Sequence, residues 1–278
     1  MDEPIILLPG EGEVLVDLPP WSSLIKVARH ELLLFESSSG PGERGAAPHI
    51  HREHADAFYV LGGELSFQVA DERRSLPVGS FVLAPPRLVH GFEVGPDGAR
   101  YLNLHVPGHA YAKLARARRD GIEFEAANGD TFAPPADGGA LDSDTSVVLH
   151  AGEGERIGNN VLKAARPELS MLELEVKPGG GVEPHYHKGH SDSFYVLEGE
   201  LEVHVGDEVV SAVPGMYALA PPGAIHFFRN VSKASARVLN LHTPGGFAEY
   251  RLELEALHEK GIQPDQAFFE RHDIFDVD

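Results

Sequence analysis

A chain of 278 residues with 42% hydrophobic and 24% charged residues has ordinary globular composition, and it is long enough for two domains of about 140 residues, each burying its own core. Acidic residues outnumber basic ones by 43 to 23, and the formal charge of −20 argues against nucleic acid and anionic membrane surfaces as partners. Zero cysteines exclude disulfides, thiolate nucleophiles and thiolate-ligated zinc, so a metal must be held by imidazole and carboxylate, for which 16 histidines are available.

The first residues, MDEPIILLPGEGEV, place no basic segment before an apolar one, and no run of about 18 apolar residues follows that could span a bilayer. A soluble cytoplasmic protein is the expectation. The 30 glycines and 21 prolines point to many turns between short strands. Along the chain, Lys26-Val-Ala-Arg29 comes first, followed by the block His49-Ile-His51-Arg-Glu-His54-Ala-Asp56-Ala-Phe58-Tyr59-Val60-Leu61-Gly-Gly63-Glu64-Leu65. Gly79, Ala84-Pro85-Pro86, His90 and Leu102-Asn103-Leu104-His105 complete the set. A helical stretch over 110–119 precedes Gly121, and residues 128–144, rich in Gly, Pro and Asp, read as a linker.

The same blocks then return. The His49 block reappears without a gap, 136 residues later, as His185-Tyr-His187-Lys-Gly-His190-Ser-Asp192-Ser-Phe194-Tyr195-Val196-Leu197-Glu-Gly199-Glu200-Leu201. Gly215, Ala220-Pro221-Pro222 and His226 keep that offset, while Lys163-Ala-Ala-Arg166 and Leu239-Asn240-Leu241-His242 stand at 137. Leu172, Leu174 and Val176, and then Leu201, Val203 and Val205, alternate with polar residues as half-buried strands do. A second helical stretch over 247–260 precedes Gly261. The reading is two domains, 1–145 and 146–278, each an all-β barrel or sandwich trailed by a C-terminal helix.

The chemistry sits in the repeated block. In His49-x-His51 and His185-x-His187 both imidazoles project from one face of a strand. A third histidine, His90 or His226, follows 39 residues after the second, just past a Pro-Pro turn. Asp56 and Asp192 add a carboxylate at the start of an aromatic strand. Three imidazoles and one carboxylate suit a divalent transition metal such as Fe, Mn, Ni, Co or Zn, one per domain, with positions left for water or substrate. Aspartate is short, and two completions stay open: Asp56 and Asp192 bind directly, which their inward register with Phe58, Val60, Phe194 and Val196 favours, or His54 and His190 bind while the aspartates orient them. His204 reads as solvated, and His105 and His242 as structural residues near a strand end. Arg87 reads as a solvated loop arginine, with the alternative that its guanidinium meets an anionic substrate.

These blocks resemble the cupin superfamily. The second half gives Gly179, His185, His187, Asp192 and Gly199, then Gly215, Pro221, Gly223, His226 and Asn230, departing from the family pattern only in aspartate for glutamate. The first half keeps His49, His51, Asp56, Gly63, Gly79, Pro85 and His90 but has Glu43, Arg87 and Val94 where the pattern has glycine, glycine and asparagine. The resemblance implies a bicupin: two tandem double-stranded β-helix (jelly-roll) barrels with a metal inside each.

Cupins host many reactions. Two tandem His-x-His sites resemble quercetin dioxygenase-like proteins, which implies a metal-dependent dioxygenase acting on a small hydroxylated compound, with Asp56 or Asp192 as general base. The alternatives are a decarboxylase or isomerase of small acids and a non-catalytic binding or sensing cupin. The expected partner is a small-molecule substrate, in a monomer or homodimer.

Overall fold

A computed structural model describes residues 2–43, 45–120, 131–132 and 146–277. They form two compact units, Gly12–Glu153, and Met1–Glu11 with Gly154–Asp278. The chain is all-β with helices after each set of strands, as the sequence predicts.

In the first unit an eight-stranded sheet runs Val147–Leu149, Phe81–Ala84, Ala55–Val69, His90–Val106, Leu33–Ser39, Trp21–Ala28, Glu13–Leu18, with Glu72–Pro77 also on Ala55–Val69. The register sets Asp56 opposite His105, Phe58 opposite Asn103 and Val60 opposite Tyr101, so these six side chains share one face. Phe58 and Val60 belong to a buried cluster with Leu65, Phe67, Leu76 and Val82. Inward alternation thus places the aspartate on the face that lines the barrel.

The second unit has a seven-stranded sheet, Ile5–Leu7, Tyr217–Ala220, Ser191–Glu198, Ala236–Thr243, Ser170–Val176, Asn160–Ala165, Glu155–Ile157. A five-stranded sheet, Glu208–Ala212, Leu201–Val205, His226–Arg229, His185–Tyr186, Phe275–Asp276, faces the same core of Phe194, Val196, Val203 and Phe228. Where the first unit runs one 15-residue strand through two register shifts, the second breaks it at Gly199. Both corners require glycine. Gly199 has φ +76 and an added Cβ would lie 2.7 Å from the Ser235 carbonyl oxygen; Gly63 has φ +66 and would meet Gly98 O at 2.0 Å.

The helices α1, His109–Arg119, and α2, Phe247–Glu259, follow the last strand of each unit. Gly261, at φ +67, stops α2: its N–H donates to His258 O and that of Ile262 to Leu257 O, both at 2.9 Å. Gly121 lies outside the described residues. A third helix, α3, Gln266–Arg271, was not apparent from the sequence; its cap Asp265 accepts from Phe268 N at 2.9 Å.

The units differ from a division at residue 145. Ile5–Leu7 pairs with Tyr217–Leu219, and Val147–Leu149 with Phe81–Leu83, so each short strand at a unit's sequence boundary completes a sheet edge in the other half of the sequence. Within 128–144, read as linker, Thr131–Phe132 forms a strand against Ile50–His51; the rest of that stretch lies outside the described residues.

The repeat extends to a buried ion group. Lys26 occupies a bulge between Ile25 and Val27, fully buried, with Nζ 3.0 Å from Glu36, which also accepts from Arg100 at 3.0 Å. Lys163, at the bulge between Leu162 and Ala164, approaches Glu173 at 3.5 Å, and Arg237 donates to that carboxylate at 3.1 Å.

Candidate metal centres

In each unit four side chains converge: His49, His51, Asp56 and His90 in the first, and His185, His187, Asp192 and His226 in the second, their donor atoms all within 4.8 Å of one another. Backbone pairing sets the geometry, since His49 and His90 exchange N–H to carbonyl bonds at 2.9 and 3.0 Å, and His185 pairs with His226. Metal–ligand bonds of about 2.0–2.2 Å place two ligands of one ion about 3–4 Å apart. The observed separations match: Asp56 Oδ2 lies 3.3 Å from His90 Nε2 and 3.6 Å from His51 Nε2, and Asp192 Oδ2 3.2 Å from His226 Nε2 and 4.0 Å from His187 Nε2. Aspartate therefore reaches despite its short side chain.

Hydrogen bonding assigns the tautomers. In the second unit all three imidazoles donate Nδ1–H to main-chain carbonyls, His185 to Glu183 at 2.7 Å, His187 to Asp273 at 2.6 Å and His226 to Ala224 at 2.9 Å. In the first unit His49 donates to Ala47 at 2.8 Å and His90 to Leu88 at 2.9 Å. Their Nε2 lone pairs consequently face the site, where His226 Nε2 lies 3.2 Å from Asp192 Oδ2 and His49 Nε2 3.2 Å from His51 Nε2, an arrangement that repels unless a proton or a cation sits among them. The Nε2 atoms of His90 and His187 are buried without a hydrogen-bond partner, and this is the observation that fits a metal to the site.

The electrostatics agree. Burial, then the neighbouring His90, depress His49 to about 4; burial, then His190, push His187 down to about 2. Burial also lowers His51 and His185. Burial alone would raise Asp56, but His105, His51 and His90 outweigh it and hold the carboxyl well below its usual range. In the first unit, imidazoles held neutral beside the ionised Asp56 carboxylate make a pocket of net negative charge, which attracts a cation.

The histidines named as alternatives gather in a second group in each unit, whose donor atoms could also hold an ion. His54 and His105 form their own group with His51, and His190 and His242 with His187. His54 Nε2 meets His105 Nδ1 at 2.9 Å, His105 Nε2 meets Asn103 Oδ1 at 3.0 Å, and the Asn103 amide donates to Asp56. Asn240 donates likewise to Asp192 and takes His242 Nε2 at 3.0 Å. His105 and His242 do lie near the ends of their strands, as expected, and are also buried supports of the carboxylate. The doubled Leu-Asn-Leu-His block was the available signal. Tyr111 of α1 stacks on His105 at 3.9 Å and Phe247 of α2 on His242 at 3.6 Å, so each trailing helix packs a ring against its unit's carboxylate support. Arg87 is exposed; its N–H donates to His51 O at 2.5 Å, at φ +70 where its counterpart Gly223 has φ +84. His204 is half-buried, stacked on Phe227 at 3.9 Å and bonded to Glu202 at 2.8 Å.

Two jelly-roll units, each with three imidazoles and a carboxylate converging inside, define a bicupin. The cupin domain family matches residues 36–105 and 172–242, and the chain belongs to that family. It is similar to quercetin 2,3-dioxygenase of Bacillus subtilis, 22% identical over 94% of this chain and 88% of that protein. Among solved structures it resembles protein Ylba from E. coli, with TM-score 0.62 and 13% identity over 86% of this chain and 89% of that one. A variant of Bacillus subtilis oxalate decarboxylase gives TM-score 0.53 and 15% identity over 81% and 73%. At these identities the structural likeness concerns the fold. No helix among the described residues is long and apolar enough to cross a membrane.

Proposed function

We propose that this bicupin holds one divalent transition metal in each unit and acts as an oxygenase of quercetinase type on a small hydroxylated compound, aromatic compounds included. The carrying observation is a buried, unpartnered imidazole Nε2 facing a carboxylate, present in both units as His90 with Asp56 and His187 with Asp192. Similarity to a quercetin 2,3-dioxygenase across nearly the whole chain supports the reaction class. When bound, the metal would supply a centre that polarises a substrate oxygen and exchanges electrons with dioxygen.

The protein's own groups have definite tasks in this reading. Asn240 holds Asp192 Oδ1 and so aims Oδ2 at the imidazoles, and Asn103 does the same for Asp56; a carboxylate oxygen released from the ion as substrate binds would take the proton of the substrate hydroxyl as general base. Carbonyl acceptors lock the imidazoles as donors of a lone pair. Phe194 and Phe228, or Phe58 and Phe67, line the inner wall and keep water from the deprotonated substrate. The test is oxygen uptake by metal-loaded protein with flavonols, diketones and catechols. Uptake with any of them supports the reading, and none with the whole panel sinks it.

One observation favours a second reaction of the same site. Arg87 is an exposed guanidinium anchored by its backbone next to His51, where it could hold a substrate carboxylate. A decarboxylase or isomerase of small acids would then turn over without oxygen uptake, and Arg87→Ala would raise KM in particular. Metal bound with no turnover of either kind would leave a binding or sensing cupin.

A further inference from the structure

Among the described residues, His187 is a metal-site histidine tied to a distant part of the chain. His49, His90, His185 and His226 each donate Nδ1–H to the carbonyl two residues before them, a local bond that their own strand ends provide. His187 instead donates to the carbonyl of Asp273, 86 residues later, at 2.6 Å.

Asp273 also holds the loop that follows His187. Its Oδ1 accepts from Lys188 N at 2.9 Å, and its Oδ2 from Gly189 N at 2.7 Å and His190 Nδ1 at 2.9 Å. His190 in turn stacks on His187 with ring centroids 4.0 Å apart. The segment bearing Asp273 is firmly seated: Phe268 and Ile274 are buried with Tyr250 and Leu254, and Phe275 stacks on Tyr186 at 5.4 Å and lies under Lys188 Nζ at 3.5 Å. Phe275–Asp276 then pairs with the strand carrying His185. The turn at Asp273 has φ +60, a left-handed conformation that aspartate and asparagine tolerate better than most residues.

We infer that Asp273 is a positioning residue of the second metal centre, and that the C-terminal segment carrying it is a strap that sets the tautomer and aim of His187. Its carbonyl fixes the proton on Nδ1, and its carboxylate fixes the loop and the stacked His190, so that Nε2 points at the site. The inference rests on the metal-binding reading above, but on different residues.

Cobalt(II) serves as the probe, in the full chain, with His51→Ala present so that only the second centre is read. Asp273→Ala and the nearly isosteric Asp273→Asn should weaken cobalt binding there by about 10- to 100-fold and alter the visible spectrum of the bound ion. The first centre, read in a His187→Ala chain carrying the same Asp273 variants, should keep its affinity, which shows the loss to be local to the second unit, and a retained cooperative melt of that unit should show that it is folded. Asp273→Asn keeps the left-handed turn, so a folded variant exists to be measured if Asp273→Ala is lost. A lowered melting temperature with unchanged cobalt affinity and spectrum would overturn the inference and leave Asp273 a structural turn residue. Failure of the native chain to bind cobalt at either centre would overturn it together with the metal-binding reading.

Discussion

Asn240 donates its side-chain amide to the carboxylate of Asp192, 48 residues earlier in the chain. The bond ties down one oxygen and leaves the other facing His226, and Asn103 does the same for Asp56. Groups that orient a ligand commonly change metal affinity by 10- to 100-fold when removed. Asn240→Ala should therefore weaken metal binding at the second centre by about that factor, and chelator competition reads it directly. Unchanged affinity would mean that Asp192 is held by other contacts.

Metal-free protein should lose stability in mild acid. An unfolded histidine titrates near about 6.5, whereas His49 titrates at about 4 and His187 at about 2 in the folded chain. Between these values the unfolded state binds more protons, so the stabilisation is fully present above pH of about 6.5 and falls as pH drops toward 4. Asp56, held below its usual range, adds a loss only at still lower pH. Thermal melts between pH 7.5 and 5 check the sign: the midpoint should fall with pH, and a flat or rising midpoint would show that the histidines are not buried as neutral groups.

Lys26 is fully buried against Glu36, whose own side chain is 13% exposed. Removing one partner of such a pair leaves a charge without its counterpart, and Lys26→Ala should cost about 3–5 kcal/mol in urea unfolding, reduced because Arg100 still reaches Glu36. A cost under about 1 kcal/mol would place this pair with ordinary surface ion pairs.

Arg87 holds a backbone conformation that its counterpart Gly223 adopts without strain. Arg87→Gly should stabilise the chain by about 1 kcal/mol, measured by denaturant midpoint. If the variant is stabilised but loses activity toward acids, the strained residue is retained for its guanidinium; if stability falls, the side chain makes a structural contribution that its exposure conceals.

Much of this was legible in the sequence because the constant offset preserves spacing. His-x-His, Asp, Pro-Pro and the third histidine recur in register, and strand alternation then places them on one face. What stayed hidden depends on pairing between distant segments. Ile5–Leu7 and Val147–Leu149 are three-residue strands with no usable periodicity, and only the sheet edges they meet define them. Thr131–Phe132 and Phe275–Asp276 pair equivalently with Ile50–His51 and His185–Tyr186. An Asp-x-Phe triplet marks both, at Asp130 and Asp273, but their offset of 143 breaks the 136-residue repeat; Asp130 itself lies outside the described residues. The Asn-x-His pairs were visible as a repeat, yet their contact with the carboxylate follows from cross-strand register, which one sequence does not display.

The central claim is that each unit holds one metal ion between three imidazoles and an aspartate. Metal content per chain, measured by plasma mass spectrometry on untagged protein with His51→Ala and His187→Ala variants alongside, tests it most directly. Near two equivalents in the native chain, halved by either substitution, is the predicted result. Trace metal that neither substitution changes and that reconstitution does not raise would contradict it.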